Sequence, residues 1–413
     1  MRSGMWAWTL ALGIFACAAV NAETLVRKGR LLQVGPDPCA IVAADLNDDG
    51  LADIVTADRG MLGAPSDERP ANDELSVLMA QGGGEYVKVH PSLKTGFGPY
   101  AIAIANIDAL KWPEIIVANF HDVRNRDISM FLNIKPEGIF KPVEFTVPDQ
   151  SLLYVRHNDG DDAPLFTKPG LTSLVVADVT GDGLRDVIAS AWSSDVLVVF
   201  PGNVETHLGA PKFYPASGGP RQMALHDFDG DKVLDLAVVM QTTGELAFYK
   251  GDGTGGFKET VRFETRGRLP SCVKLADVNG DDHMDAIVSH SFSDDSIVIF
   301  YGDGGFKFSM SQEILLGEDR TALEAEIRDI ALGDLNGDGR VDIAAACFAA
   351  KEVTVLFNVS GDASRDQKFS KESLGFEGGA PRALCIADLD EKPGKEIAVA
   401  LWGTNTVGFL GRK

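Results

Sequence analysis

Seven copies of one acidic phrase, the apolar runs that bracket each copy, and an unusual load of glycine predict an all-β chain. The expected architecture is a seven-bladed β-propeller with four antiparallel strands per blade, closed by the N-terminal strand completing the last blade. The phrase starts at Asp45, Asn106, Asp178, Asp227, Asp277, Asp334 and Asp388. Successive starts lie 49 to 72 residues apart, mostly close to the length of one propeller blade. The 44 glycines among 413 residues exceed the ordinary share of ~7% and call for many tight reversals.

Each repeat reads in the same order. A short apolar run ends at the first acid, as in AIVAAD before Leu46 or LCIAD before Leu389. After the acidic loop comes a run such as DIVTA or EIIVA, apolar at nearly every position, the mark of a strand buried on both faces. A third run follows (LSVLMA, VLVVF, VTVLFN), and a glycine-rich turn such as GDGTGGF leads to a weaker fourth. Only three strands fit after Asp388, the last being Thr406 to Leu410, while one spare strand, Thr24 to Val34, precedes Asp45. The N-terminus therefore supplies the missing outer strand and removes an exposed edge. Only Thr321 to Ile327 hints at helical periodicity.

Residues 1–22 read as a signal peptide, with Arg2 as the basic start, an apolar run from Trp6 to Val20, and Val20-Asn21-Ala22 as the cleavage site. Residues 23–413 would then be the propeller, exported to the periplasm, the cell surface or the medium. No later apolar run is long enough for a transmembrane segment. Acids outnumber bases 60 to 38, for a net charge of −22, which argues against nucleic acid as a partner and suits cation binding. Cys39, Cys272, Cys347 and Cys385 sit singly in apolar runs and read as buried thiols, with a Cys39–Cys385 bridge left open.

The phrase D-x-[DNT]-x-D-x-x-x-D sets side-chain oxygens at positions 1, 3, 5 and 9, with a backbone carbonyl available at 7. Calcium asks for six to eight hard oxygens, and one such loop supplies most of them. About five structural Ca²⁺ sites are expected. Their ligands are Asp45, Asn47, Asp49 and Asp53; Asp178, Thr180, Asp182 and Asp186; Asp227, Asp229, Asp231 and Asp235; Asp277, Asn279, Asp281 and Asp285; and Asp334, Asn336, Asp338 and Asp342. The alternative is that these acids form Asx turns. The loops at Asn106 and Asp388 are expected to hold no calcium, because Leu110 and Lys392 occupy position 5. These phrases resemble the FG-GAP/VCBS repeat of integrin α-subunit propellers and many secreted microbial proteins. The resemblance implies a seven-bladed propeller with calcium in the loops between the first two strands. Its members include adhesion modules, lectins and carbohydrate lyases, so it implies no single function.

A ligand is expected on the face opposite the acidic loops, where the longest insertions, Arg59–Asp73 and Val147–Gly170, emerge. Six residues before each start stand Cys39, Tyr100, Thr172, Arg221, Ser271, Arg328 and Arg382, where the innermost strand enters the channel. Arginines there suit a carboxylate or sulfate, unless they pair with nearby acids such as Glu326. Fourteen residues after each start stand Arg59, Phe120, Trp192, Gln241, Ser291, Phe348 and Trp402, with His290 adjacent. Aromatic rings there either stack on sugars or pack between blades. The ligand-binding set is thus Arg221, Arg328, Arg382, Tyr100, Trp192, His290 and Trp402, with no catalytic residue assigned. The reading is a binding or adhesion module for carbohydrate or extracellular protein. Its rival is a sugar lyase or dehydratase working on the same face with an Arg/His/Tyr cluster.

Overall fold

The computed structural model describes residues 25–60, 72–108, 110–120, 126–135, 139–148, 169–291, 295–317, 325–360 and 363–413. The expected signal segment, Thr24, residues 61–71 and 149–168 of the two insertions, and residues 321–324 of the helix-like stretch lie outside them.

The described residues form strands and turns, with no helix among them. Seven antiparallel sheets follow one another along the chain, and within each the strands pair in the order A-B-C-D. Blade 4 shows the pattern: A Pro220–His226, B Asp235–Met240, C Glu245–Gly251 and D Phe257–Glu264. Blade 1 splits its D strand into Tyr86–Lys88 and Leu93–Lys94, and blade 3 inserts a small hairpin between C and D. The A strands touch in a closed ring, with Ala380–Ala387 of blade 7 returning to Pro38–Ala44 of blade 1. Closure follows the expected route. Leu25–Gln33 lies antiparallel to Thr406–Arg412, with Leu25 opposite Arg412 and Gln33 opposite Thr406.

The runs read as doubly buried are the B strands. Every residue of Asp53–Asp58, Glu114–Asn119, Asp186–Ala191, Asp235–Met240, Asp285–His290 and Asp342–Cys347 is buried. Their apolar side chains alternate between the two adjacent blades. Among the described residues the core divides into seven clusters, one at each blade–blade contact. Between blades 5 and 6, for example, Ile287, Ile297 and Ile299 meet Ile330, Ile343 and Ala345. D strands such as Phe257–Glu264 expose half of their positions and face solvent.

Two sets of contacts define the faces. On one, the A–B loop is tied to the C–D turn of its own blade. On the other, in blades 2 to 6, the residue fourteen after the start donates its backbone N–H to the chain entering strand A. Phe120 N–H reaches Gly98, Trp192 reaches Gly170, Gln241 reaches Gly219 and Phe348 reaches Glu326. The described ends of both long insertions, Arg59 and Gly170, lie on this second face.

Candidate functional site

A β-bulge interrupts every A strand at the position six residues before the acidic phrase. The pairing slips between Pro38 and Ala40, Pro99 and Ala101, Leu171 and Ser173, and likewise in the other four blades. Five of the bulges follow a proline, at 38, 99, 220, 270 and 381, a residue with no N–H to give the ladder. Small polar side chains at this position staple the ring. Cys39 Sγ lies 3.2 Å from the Pro99 carbonyl, Thr172 Oγ1 donates to the Arg221 carbonyl at 2.9 Å, and Ser271 Oγ donates to that of Ile327 at 3.3 Å. Cys39, Thr172 and Ser271 of blades 1, 3 and 5 thus hold the bulges of blades 2, 4 and 6. There, and in blade 7, the large side chains Tyr100, Arg221, Arg328 and Arg382 reach the channel.

The channel encloses about 640 Å³ and is lined by these four side chains at its mouth and by Val175, Leu225, Leu275 and Ile386 beyond. Tyr100 is the focus of the mouth. Arg221 Nη2 donates to its hydroxyl at 2.6 Å, and Arg382 Nη2 lies 3.5 Å from the same oxygen. From blade 1 the Arg59 guanidinium stacks 4.8 Å from the Tyr100 ring centre and 5.5 Å from that of Phe120. Burial opposes ionisation of Tyr100, but Arg221, Arg382 and Arg59 outweigh it and draw the phenol down to about 8. Arg328 pairs with Glu326 and lies 5.1 Å from the Phe348 ring centre. Burial, with Arg382 nearby, lowers its guanidinium to about 10. Among the described residues Arg59, Arg221 and Arg382 make no ion pair with a carboxylate.

The other expected ligand residues are placed differently. Trp192 and Trp402 are half-buried and pack blade to blade, 6.5 Å from Phe120 and 6.4 Å from Phe348 respectively. His290 is fully buried, its Nδ1 is 3.1 Å from Ser296 Oγ, and Gly267 packs against its ring. It is not among the residues lining the mouth, so His290 does not join the expected Arg/His/Tyr cluster. The residue that sequence reasoning left out of the set is Arg59. Repeat alignment places it in the second ring but gives no sign that it reaches across to Tyr100. All four described cysteines are free, with no Cys39–Cys385 bridge, and burial holds Cys272, Cys347 and Cys385 near 12, as inert thiols.

On the opposite face the acidic loops are organised around position 1. Asp334 Oδ1 accepts N–H groups from Asn336, Gly337 and Asp338, and Oδ2 accepts that of Gly339. Asp45, Asp178, Asp227 and Asp277 do the same with their own loops. The acid at position 9 has a separate task. Asp342 accepts the Leu335 N–H at 2.9 Å and, at 2.8 Å, the N–H of Asn358 at the end of strand C, and Asp53, Asp186, Asp235 and Asp285 repeat the pair. Glu114 and Glu396 keep the first of these bonds, to Ile107 and Leu389, in the two blades expected to lack metal. Burial raises Asp53, Asp285 and Asp342 to about 6.

The donor chemistry fits a hard cation, since positions 1, 3, 5 and 9 of the five loops offer carboxylate, amide and hydroxyl oxygens. Three acids bring oxygens within 4.8 Å of one another in blade 4 (Asp227, Asp229, Asp235) and also in blade 7 (Asp388, Asp390, Glu396). Each of these loops carries an ammonium group. Lys250 Nζ reaches Asp229 and, at 2.9 Å, Asp231, and Lys392 Nζ is 2.8 Å from Asp390.

The family model of the FG-GAP-like repeat matches residues 227–288 and 277–345. No curated protein matches the sequence. Among solved structures the chain is similar to BBS1N crystallised with ARL6DN, at 14% identity and a TM-score of 0.59, covering 92% of this chain and 94% of that one. It is similar to an inactive variant of virginiamycin B lyase from Staphylococcus aureus bound to quinupristin (13%, TM-score 0.58, 94% and 99% covered). It also resembles the periplasmic gluconolactonase PpgL of Pseudomonas aeruginosa (13%, TM-score 0.58, 85% and 96% covered). Identities this low speak for a shared fold alone.

Proposed function

We propose that this seven-bladed propeller with FG-GAP-like repeats is an exported, calcium-stabilised binding module that takes an acidic carbohydrate at its channel mouth. The observation that carries the reading is the convergence of Arg221 and Arg382 on Tyr100 with no carboxylate partner among the described residues. Guanidiniums recognise carboxylate and sulfate groups through paired N–H donors, and a half-buried mouth strengthens that contact. Export rests on the signal-like pattern of residues 1–22, and calcium on the oxygen donors at positions 1, 3, 5 and 9 of the acidic loops. An acidic segment of an extracellular protein offers the same chemistry and is the competing partner.

A glycan panel containing uronate-bearing, sulfated and neutral polysaccharides tests the proposal. Acidic glycans should be retained, with binding that weakens as salt rises. Replacing both Arg221 and Arg382 with Gln should reduce affinity at least about tenfold, or about 1.4 kcal/mol, with little change in melting temperature. Binding of neutral glycans only, or binding indifferent to the double variant, would overturn it.

A second reading is favoured by Tyr100 itself. A phenol drawn down to about 8 beside arginines is suited to remove a proton next to a carboxylate that those arginines hold, as a lyase requires. The fold neighbours include enzymes as well as a partner-bound propeller, so the site residues carry the choice. Following the absorbance of unsaturated product in the same panel separates the two readings. Turnover that disappears in Tyr100→Phe would make the protein an enzyme.

A further inference from the structure

We propose that Tyr100 is the internal counterion of the channel mouth. A carboxylate or sulfate reaching Arg221 and Arg382 then returns the phenolate to the phenol, and the ligand binds with uptake of a proton. The inference deepens the binding reading and rests on it for the ligand, but the phenolate can be tested without any ligand.

The groups facing Tyr100 come from five blades. Blade 1 contributes Arg59 and the Cys39 thiol. Asp58, next in sequence to Arg59, gives its carboxylate to the Gly35 N–H and the hydroxyls of Thr56 and Ser76. Blade 2 contributes the Phe120 ring, 5.5 Å from Tyr100. Blade 4 contributes Arg221. Blade 6 contributes Arg328, matched by Glu326, and Asp329, whose oxygens accept the Ile330 and Leu384 amides. Blade 7 contributes Arg382. Among the described residues, three guanidiniums without a carboxylate partner therefore surround one phenol whose oxygen lies within reach of two of them.

Cations withdrawn from water need compensation, and the phenol is the acid placed to provide it. Arg59 is a positioning residue in this scheme. It is 6% exposed and its Nε finds no hydrogen-bond partner, so it acts on the ligand through the Tyr100 ring rather than by touching it. An incoming anion supplies the charge that the phenolate had supplied. The phenol oxygen then takes a proton from solvent, and no bond other than O–H forms or breaks. Above the phenolate midpoint, affinity should fall by up to about tenfold per pH unit, because each binding event takes up one proton.

The test is a near-ultraviolet phenolate titration of the full chain, read as the difference between the wild type and Tyr100→Phe. The chain has six tyrosines, and Tyr86, Tyr214, Tyr249 and Tyr301 are all raised above the ordinary value by burial, so the difference isolates Tyr100. The expected midpoint is about 8. Sodium sulfate should raise it relative to sodium chloride of equal ionic strength. Arg59→Gln should raise it as well, and Arg59→Lys should restore it. If Tyr100→Phe does not fold, calorimetry of sulfate binding to the wild type near pH 9, in two buffers of different ionisation enthalpy, reports the proton directly. A difference spectrum without phenolate below about pH 10 overturns the counterion, while the binding reading still stands or falls on the glycan panel. A midpoint near 8 that sulfate leaves in place, or sulfate binding without proton uptake, overturns the linkage.

Discussion

Burial alone would make Tyr100 a weaker acid, yet the guanidiniums around it reverse the shift, and that reversal makes a stability prediction. The folded value near 8 lies below the ordinary 10, so ionisation stabilises the fold. The contribution is complete above about pH 10 and is lost as the pH falls through 8. The melting temperature of the wild type relative to Tyr100→Phe should therefore rise between about pH 7.5 and pH 10, and a constant difference would contradict it. Arg328 belongs to the mouth by position but is matched by Glu326 at a half-buried site. Arg328→Gln should lower stability by about 1–3 kcal/mol in denaturant unfolding, unlike Arg221→Gln. The ring position of these arginines was legible in the repeat alignment. Their different fates were not, since pairing depends on which acid lies within a few ångströms. Arg328 finds one two residues upstream, and Arg221 does not.

At the scale of the element, the acidic phrase does two jobs that its spacing alone did not separate. Positions 1 to 5 build a turn, and position 9 is a buried staple between the A–B loop and the rest of the blade that in blade 4 also brings an oxygen to the acids of the turn. Glu114 holds the staple in a blade expected to lack metal. Glu114→Ala leaves the Ile107 N–H without this partner and should cost about 1–3 kcal/mol, equally with calcium or with chelator. An effect seen only with calcium would mean that position 9 serves the metal instead. Calcium itself should raise the melting temperature and chelation lower it, because gathered carboxylates repel without a cation. Identical melting curves would remove calcium from the account. Five of the seven A-strand bulges are also written in the chain, in the prolines at 38, 99, 220, 270 and 381. They do not announce a bulge by themselves, because a proline beside a strand reads first as a boundary.

For the whole molecule, closure is the decisive feature. Residues Leu25–Gln33 complete blade 7, and removing them would leave the Thr406–Arg412 strand as an open edge. A chain beginning at Gly35 should aggregate, or melt at least several degrees lower, in a comparison of scattering and thermal unfolding. Unchanged behaviour would show that the clasp contributes little.

Blade number, strand order and the closing strand follow from the sequence by itself. A repeat writes the same local chemistry seven times, and the spare strand at the N-terminus has one place to go, the last blade, which is one strand short. Burial of the B strands follows too, since an unbroken apolar run requires cover on both faces. What meets at the axis was decided only by the tertiary structure. Tyr100, Arg221 and Arg382 are separated by up to 282 residues and come together because ring closure brings the A strands around one channel. Arg59 joins them from the end of a B strand, and His290 is withdrawn into its blade, because each side chain's direction depends on bulge, register and neighbour rather than on its place in the repeat.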